Sequence, residues 1–332
     1  LIATKADLRE EIDRLKAHIG YLADDKLEGR RTGTAGELLA MTYIETQFRE
    51  IGLTPKGTDN YIQPFPVNDG KQIGSGTRFS INGTALEAGK DFFPFPYNPQ
   101  VSIEALPAIS LQEWGMPWFV DLKEKLEENQ NNPHFDLSDY IHGYTKTAKE
   151  KGASALILFN SSRTDDKLVF DPKDKQEKTA IPVFYVNNAV AKKYFSDKSA
   201  SLTVVLKSDI TDKVRTGHNV VGYIDNGAAT TVILGAHFDH LGYGEDGNSM
   251  LRTGEKLIHN GADDNASGTA ALIELARKLK TDPAKGNNYL FIAFSGEELG
   301  LFGSKYYTEN PTIDLKSVNY MINMDMVGRL ND

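Results

Sequence analysis

Residues 219–324 alternate short apolar runs with stretches of helical spacing, and this alternation restricts the fold more than any other feature of the chain. Runs at 219–224, 231–236, 289–294 and 318–324 read as strands, while 267–279 and 301–307 read as helices. Strands separated by helices predict an α/β fold whose mostly parallel sheet is covered on both faces, a three-layer arrangement. In such sheets ligands bind beyond the carboxyl ends of the strands.

Acidic residues and a histidine gather at those ends. Run 231–236 leads into His237-Phe238-Asp239, run 289–294 into Glu297-Glu298, and run 318–324 into Asp325, while Asp263-Asp264-Asn265 stands just before a helix. Singly, each cluster has an ordinary explanation as a surface pair, a solvated face or a helix N-cap. Their joint arrival at one sheet edge predicts a metal centre instead. On an extended strand His237 and Asp239 share a face, so the histidine can bind a cation while Asp239 orients it or a neighbouring ligand. Adjacent glutamates point differently, which allows Glu298 to be a ligand and Glu297 a general base. The two oxygens of Asp264 suit it to bridge a pair of cations. The chain has no cysteine, which excludes disulfides, thiolate catalysis and sulfur ligation. Nitrogen and oxygen donors fit zinc, with manganese or cobalt as alternatives.

The net charge of −9 argues against nucleic acid as a partner, because phosphate recognition demands a basic face. No apolar run is long enough to span a bilayer, which excludes a membrane-spanning chain. The 332 residues allow about two domains. At the N-terminal side, Leu8, Ile12, Leu15 and Ile19 mark an amphipathic helix. Thr34 and Glu37 read as a capping box opening a second helix that Gly52 stops. The intervening Leu27-Glu28-Gly29-Arg30-Arg31-Thr32-Gly33 reads as a polar loop. From 70 to 214 the texture changes to short β-type runs at 155–159, 181–186 and 202–206, with a helix at 140–151 and polar surface excursions at 123–132 and 165–178. The expected organisation is a first part of the main domain over 1–69, a smaller α/β domain inserted over 70–214, and the metal-binding part over 215–332. A glycine-rich match at Gly242, Gly244 and Gly247 is not followed by a helix and carries Glu245 and Asp246 where a phosphate would sit, so no dinucleotide site is expected.

Four stretches together resemble the M28 metallopeptidases: Gly235-Ala236-His237-Phe238-Asp239-His240-Leu241-Gly242, Gly261-Ala262-Asp263-Asp264-Asn265-Ala266-Ser267-Gly268, Ser295-Gly296-Glu297-Glu298-Leu299-Gly300 with Gly303-Ser304, and Met324-Asp325-Met326. The resemblance implies a zinc-exopeptidase fold of the phosphorylase/hydrolase-like type and hydrolysis of N-terminal residues from peptides. It implies two zinc ions, with His237, Asp264 and Asp325 at one and Glu298 at the other. It also makes Asp264 the bridge, followed by a cis peptide, and Glu297 the general base. The stretch from Leu27 to Gly36 resembles members carrying an inserted protease-associated domain, which would account for 70–214. The family completes its second metal position with a histidine well downstream of the Asp325 position. None of His18, His134, His142, His218, His240 or His259 stands there, and His240 and His259 read as supporting residues. The chain is therefore expected to be truncated at its C-terminal side, with incomplete metal binding and weak activity. The expected location is secreted or periplasmic, with a signal peptide removed. A carboxypeptidase or dipeptidase on the same metals would need cations such as Arg252 or Arg329 to hold a terminal carboxylate. A non-catalytic binding protein of the same fold is disfavoured by the intact set of five site residues.

Overall fold

A computed structural model describes residues 5–329 apart from 252, 254 and 283. The chain divides into two compact units, one running from Asn68 to Val214 and the other built from the segments on either side of it.

The flanking segments form an α/β unit. Its central strands Asn288–Phe294, Thr231–His237 and Val318–Asn323 lie side by side in that order and run parallel. Register brings their carboxyl ends together, with His237 opposite Phe294 and Gly235 opposite Asn323. The residues immediately after these pairs are the acidic clusters. The strand Ile210–Ile224 joins Asn288–Phe294 antiparallel and itself pairs with Thr54–Pro55 and Ile62–Ile73, so the sheet is mixed. Every residue of Thr231–His237 and of Asn288–Phe294 is buried, which explains why both read as continuous apolar runs rather than alternating ones.

Strand pleating sends alternate residues to opposite faces. Val232, Leu234, Phe291 and Ala293 face one side. There they pack with Ile44 and Phe48 of the helix Ala35–Ile51 and with Leu272, Ile273 and Ala276 of the helix Gly268–Thr281. Ile233, Leu290, Ile292 and Phe294 face the other side and meet Tyr307 of the helix Phe302–Glu309.

The helix Ala35–Ile51 ends as expected, with Gly52 in the left-handed conformation (φ 81°) and its N–H on the Arg49 carbonyl. Its start differs from the expected capping box. Thr34 is the N-cap but makes no side-chain cap, and its hydroxyl donates to the Arg31 carbonyl. Glu37 instead turns fully inward, because stronger donors await its carboxylate there.

The unit from Asn68 to Val214 holds two four-stranded sheets. One comprises Thr84–Ala85, Arg78–Ile81, Val204–Ser208 and Val101–Ala105, and the other Phe92–Pro94, Val183–Val186, Ala155–Phe159 and Pro117–Asp121. Phe79, Val204 and Leu206 of the first share a core with Ala155, Ile157 and Phe184 of the second. The helix Leu137–Glu150 packs Ile141 and Ala148 against Leu156 and Leu158 on the second sheet's other side. The stretch 123–132, read as a surface excursion, contains the helix Lys123–Asn129, in which Leu126 alone is buried.

Candidate metal centre

The parallel register delivers His237, Glu297 and Asp325 to one place, and the turn Ala262–Ser267 brings Asp264 to them. The His237 Nε2 atom lies 3.3 Å from Asp264 Oδ1, 3.4 Å from Asp325 Oδ1 and 3.9 Å from Glu297 Oε2. His237 is buried, while the carboxylates of Asp264, Glu297 and Asp325 are one-third to one-half exposed. The other ring nitrogen, Nδ1, faces the main-chain carbonyl of Asp239 at 3.1 Å, with the Asp239 carboxylate at 3.7 Å. A donor N–H on Nδ1 leaves Nε2 as the lone-pair nitrogen directed at the carboxylates.

A second group shares Asp264. His240 Nδ1 lies 2.6 Å from Glu298 Oε1, and one donor atom each from His240, Asp264 and Glu298 can lie within 4.8 Å of one another, as can those of His237, Asp264 and Asp325. Sequence reasoning kept His240 outside the ligand sets, whereas the structure places its imidazole within ligand reach. Turn geometry after His237 is what brings it back to the site, and no residue pattern announces that.

Charge tests whether these donors suit divalent cations. Burial opposes ionisation of His237, but Asp239, Asp264 and Glu297 outweigh it and push the imidazole up to about 11. Burial is also the main reason that the Glu297 carboxyl is raised, with Asp239, Glu298 and Asp325 adding to it. The hydrogen bond to His237 lowers Asp264. Carboxylates gathered this closely disfavour one another's ionisation unless positive charge lies between them. The donor set is oxygen and nitrogen throughout, and the two groups meet at one carboxylate able to bridge. Residues of this kind fit zinc or a similar divalent ion.

Buried polar side chains hold the ligand segments in place. Asp239, fully buried, accepts the N–H of Glu297 at 3.1 Å and of Glu298 at 3.3 Å, as well as the Thr32 hydroxyl at 3.1 Å. Its carboxylate therefore shapes the turn that presents both glutamates, more than it orients His237. Asn265, joined to Asp264 by a cis peptide, donates to the Met324 carbonyl at 2.9 Å and accepts the Met326 N–H at 3.2 Å, which fixes the segment bearing Asp325. Asp263 takes the Gly328 N–H at 2.9 Å. The Asp263-Asp264-Asn265 triplet is thus a staple between two ligand segments rather than a simple N-cap.

Three residues that sequence reasoning left in a polar loop or in a capping box complete the support. Arg30 is fully buried, and burial pulls its guanidinium down to about 10 against the carboxylates of Asp239, Asp264 and Glu298. Thr32 reaches Asp239, and Glu37 accepts the Ser295 hydroxyl at 2.7 Å and the His218 N–H at 2.9 Å. The only sequence signal for them is the glycine spacing. A Cβ on Gly36 would sit 1.8 Å from the Leu27 carbonyl oxygen, and Gly29 and Gly33 have positive φ.

Residues 219–332, which contain all four ligand segments, match the sequence profile described as Peptidase family M28. Over these residues the chain is similar to peptidase family M28. Relatives include the aminopeptidase YwaD of Bacillus subtilis, 29% identical over 308 residues that cover 90% of this chain and 58% of the relative. Another is the probable lipoprotein aminopeptidase LpqL of Mycobacterium tuberculosis, 28% identical over 55% of this chain and 33% of the relative. The chain therefore spans less than two thirds of the length of either. Among solved structures, the aminopeptidase from Aneurinibacillus sp. strain AM-1 aligns with a TM-score of 0.44 at 23% identity, covering 95% of this chain and 70% of that one.

Around this candidate centre a cavity of about 200 Å³ opens beside His237 and Glu297, walled by Phe294, Leu301 and Met321 with Ser304 and Asn323. Of the two cations considered for holding a terminal carboxylate, Arg329 pairs with Asp263 at 2.8 Å. Arg252 lies outside the described residues.

Proposed function

We propose that this chain is the catalytic part of a zinc-dependent exopeptidase that removes N-terminal residues from peptides. The observation carrying this reading is the meeting of two donor groups, His237/Asp264/Asp325 and His240/Asp264/Glu298, at the one shared carboxylate. His237, Asp264 and Asp325 would hold one ion, and Asp264 and Glu298 with His240 the other. Zinc fits these donors, and manganese or cobalt could use them. When bound, such ions polarise a carbonyl and make water more acidic.

The chain's own groups do the rest. Glu297 stands free of the strand end on the turn that Asp239 fixes, one-third exposed and facing the cavity. Burial raises its proton affinity, which suits a base that takes a proton from water and returns it to the leaving amine. His237 and Asp264 hold the reacting centre in place, and the exposed rims of Asp264 and Asp325 are available to a substrate ammonium. Of the cations that cleavage from a free carboxyl end would need, Arg329 is paired with Asp263. The unit Asn68–Val214, with two sheets around one apolar core, belongs to this reading as an inserted protease-associated-type domain. No helix among the described residues is long and apolar enough to cross a membrane. An exported location fits a relative described as a probable lipoprotein.

Replacing Glu297 with Gln tests the assignment. The variant is expected to keep its metal content while turnover of aminoacyl chromogenic substrates falls by about 10²–10⁴-fold. Turnover at the unsubstituted level would remove Glu297 from its role. Cleavage of N-terminally blocked peptides in preference to free ones would overturn the aminopeptidase reading.

A further inference from the structure

Arg30 has surroundings unusual for an arginine. It is 0% exposed, and its hydrogen-bond acceptors are main-chain carbonyls instead of carboxylates. Nε donates to Phe238 O at 2.7 Å, Nη1 to Leu22 O and to Asn260 O at 2.6 Å, and Nη2 to Gly261 O at 3.0 Å. The backbone around it is committed to this placement. Glu28, Gly29 and Arg30 all have positive φ, at 46°, 70° and 49°, and turn the guanidinium inward. A Cβ on Gly29 would lie 2.6 Å from His259 O and 2.7 Å from Gly242 O, so the loop presses directly on the two chain stretches that lead to and from the site. Main-chain bonds run the other way, from His240 N to Arg30 O at 3.3 Å and from Gly242 N to Gly29 O at 3.1 Å.

The acceptors are placed where ligand geometry is decided. Phe238 lies between His237 and Asp239, and Asn260 and Gly261 lead directly into Asp263-Asp264. One planar group with donors in a fixed fork therefore sets the distance between the strand end that carries His237 and the turn that carries Asp264. Removing it would take the guanidinium donor from four carbonyls, three of them beside the site, of which Gly261 O would keep the Ala266 N–H at 3.1 Å.

We infer that Arg30 is the positioning residue of the metal centre, holding the His237 and Asp264 segments at ligand spacing before any cation arrives. The inference rests on the metal-site reading proposed above. Its consequence is a preformed site, since supporting groups behind ligands commonly govern metal affinity by 10- to 100-fold (an order-of-magnitude range). Lysine cannot substitute, because a single ammonium cannot span carbonyls on separate segments in a fixed fork.

The test uses cobalt(II) alone as probe, read by titration calorimetry and by its visible absorption, with Arg30→Lys and Arg30→Met beside the unsubstituted chain. The variants that retain native circular dichroism are expected to bind cobalt about 10- to 100-fold more weakly, with an altered absorption band. Unsubstituted affinity and spectrum in a folded Arg30→Lys protein would overturn the inference. Amide exchange on the chelator-treated unsubstituted chain decides the matter even where neither variant folds. Residues 238–242 and 259–266 are expected to be strongly protected without metal, and fast exchange there would refute a preformed site. Absence of cobalt binding by the unsubstituted chain would count against the metal-site reading, whereas the exchange result bears on whether the site is preformed.

Discussion

A carboxylate taken wholly out of water must find donors, and Asp239 and Glu37 find them in main-chain N–H groups and hydroxyls of the site's own scaffold. Changing Asp239 to Asn keeps the shape but puts an NH2 where one oxygen accepted N–H or O–H donors. This is expected to destabilise the protein by about 1–3 kcal/mol and to disorder the Glu297-Glu298 turn, as read by urea denaturation and metal content. His18 gives a pH-dependent counterpart. Burial lowers its pKa below 6.5, against a hydrogen bond to Glu274, while Tyr43 faces its other nitrogen at 2.7 Å. The unfolded chain then binds a proton that the folded one resists, so the His18 contribution is present above pH 6.5 and declines as pH falls from there toward the lowered folded value. A His18→Gln variant is expected to flatten that part of a stability-against-pH curve. At this scale the sequence exposed the candidate ligands that the structure brings together, because histidine and paired acids after apolar runs are informative by residue type. It hid Arg30 and Thr32, because polar residues among glycines read as a solvated loop until the fold shows what surrounds them, and it gave Glu37 the local role of a cap.

Elements were legible in proportion to how much of their pattern is local. The strand Ala155–Phe159 and the helix Ala35–Ile51 follow from apolar run and periodicity, and Gly52 stops the helix for the expected steric reason. The turn from Ala262 to Ser267, with its non-helical Asp264 and Asn265, could not be read locally, since its partners Met324, Met326 and Val327 lie some sixty residues on. The helix Lys123–Asn129 escaped because it buries almost nothing and has no apolar stripe. Two glycines make a paired prediction about elements. Gly20 lies exposed in the helix Lys5–Leu22 with nothing near a new Cβ, so Gly20→Ala is expected to stabilise by about 0.5–1 kcal/mol. In Gly36→Ala the methyl group would meet backbone at Leu27, which cannot rotate away, so loss of the native fold is expected. Thermal melts of both variants check the contrast, and a tolerated Gly36→Ala would show that the Leu27–Gly36 packing can yield.

At the scale of the whole molecule, two units with separate cores predict separable unfolding. Calorimetry is expected to resolve two transitions, of which only one moves up when zinc is added and down when it is chelated, because all the candidate ligands belong to one unit. A single transition, or two that shift together, would show that the units melt as one. The change of texture near residue 70 made a second unit legible. The mixed character of the main sheet was less so, since the strand Ile210–Ile224 and its partners Thr54–Pro55 and Ile62–Ile73 are brought together from opposite ends of the intervening unit.

The same arrangement has a consequence for synthesis. Arg30 and Thr32 are made early, yet Phe238, Asp239 and Gly261 emerge only after the whole of Asn68–Val214 has been translated. A nascent chain therefore carries a buried-type arginine with only the Leu22 carbonyl of its four acceptors while the intervening unit is completed. Growth from the ribosome is directional and compact units fold as they appear, so the host domain closes last, after the unit inserted in it has already formed.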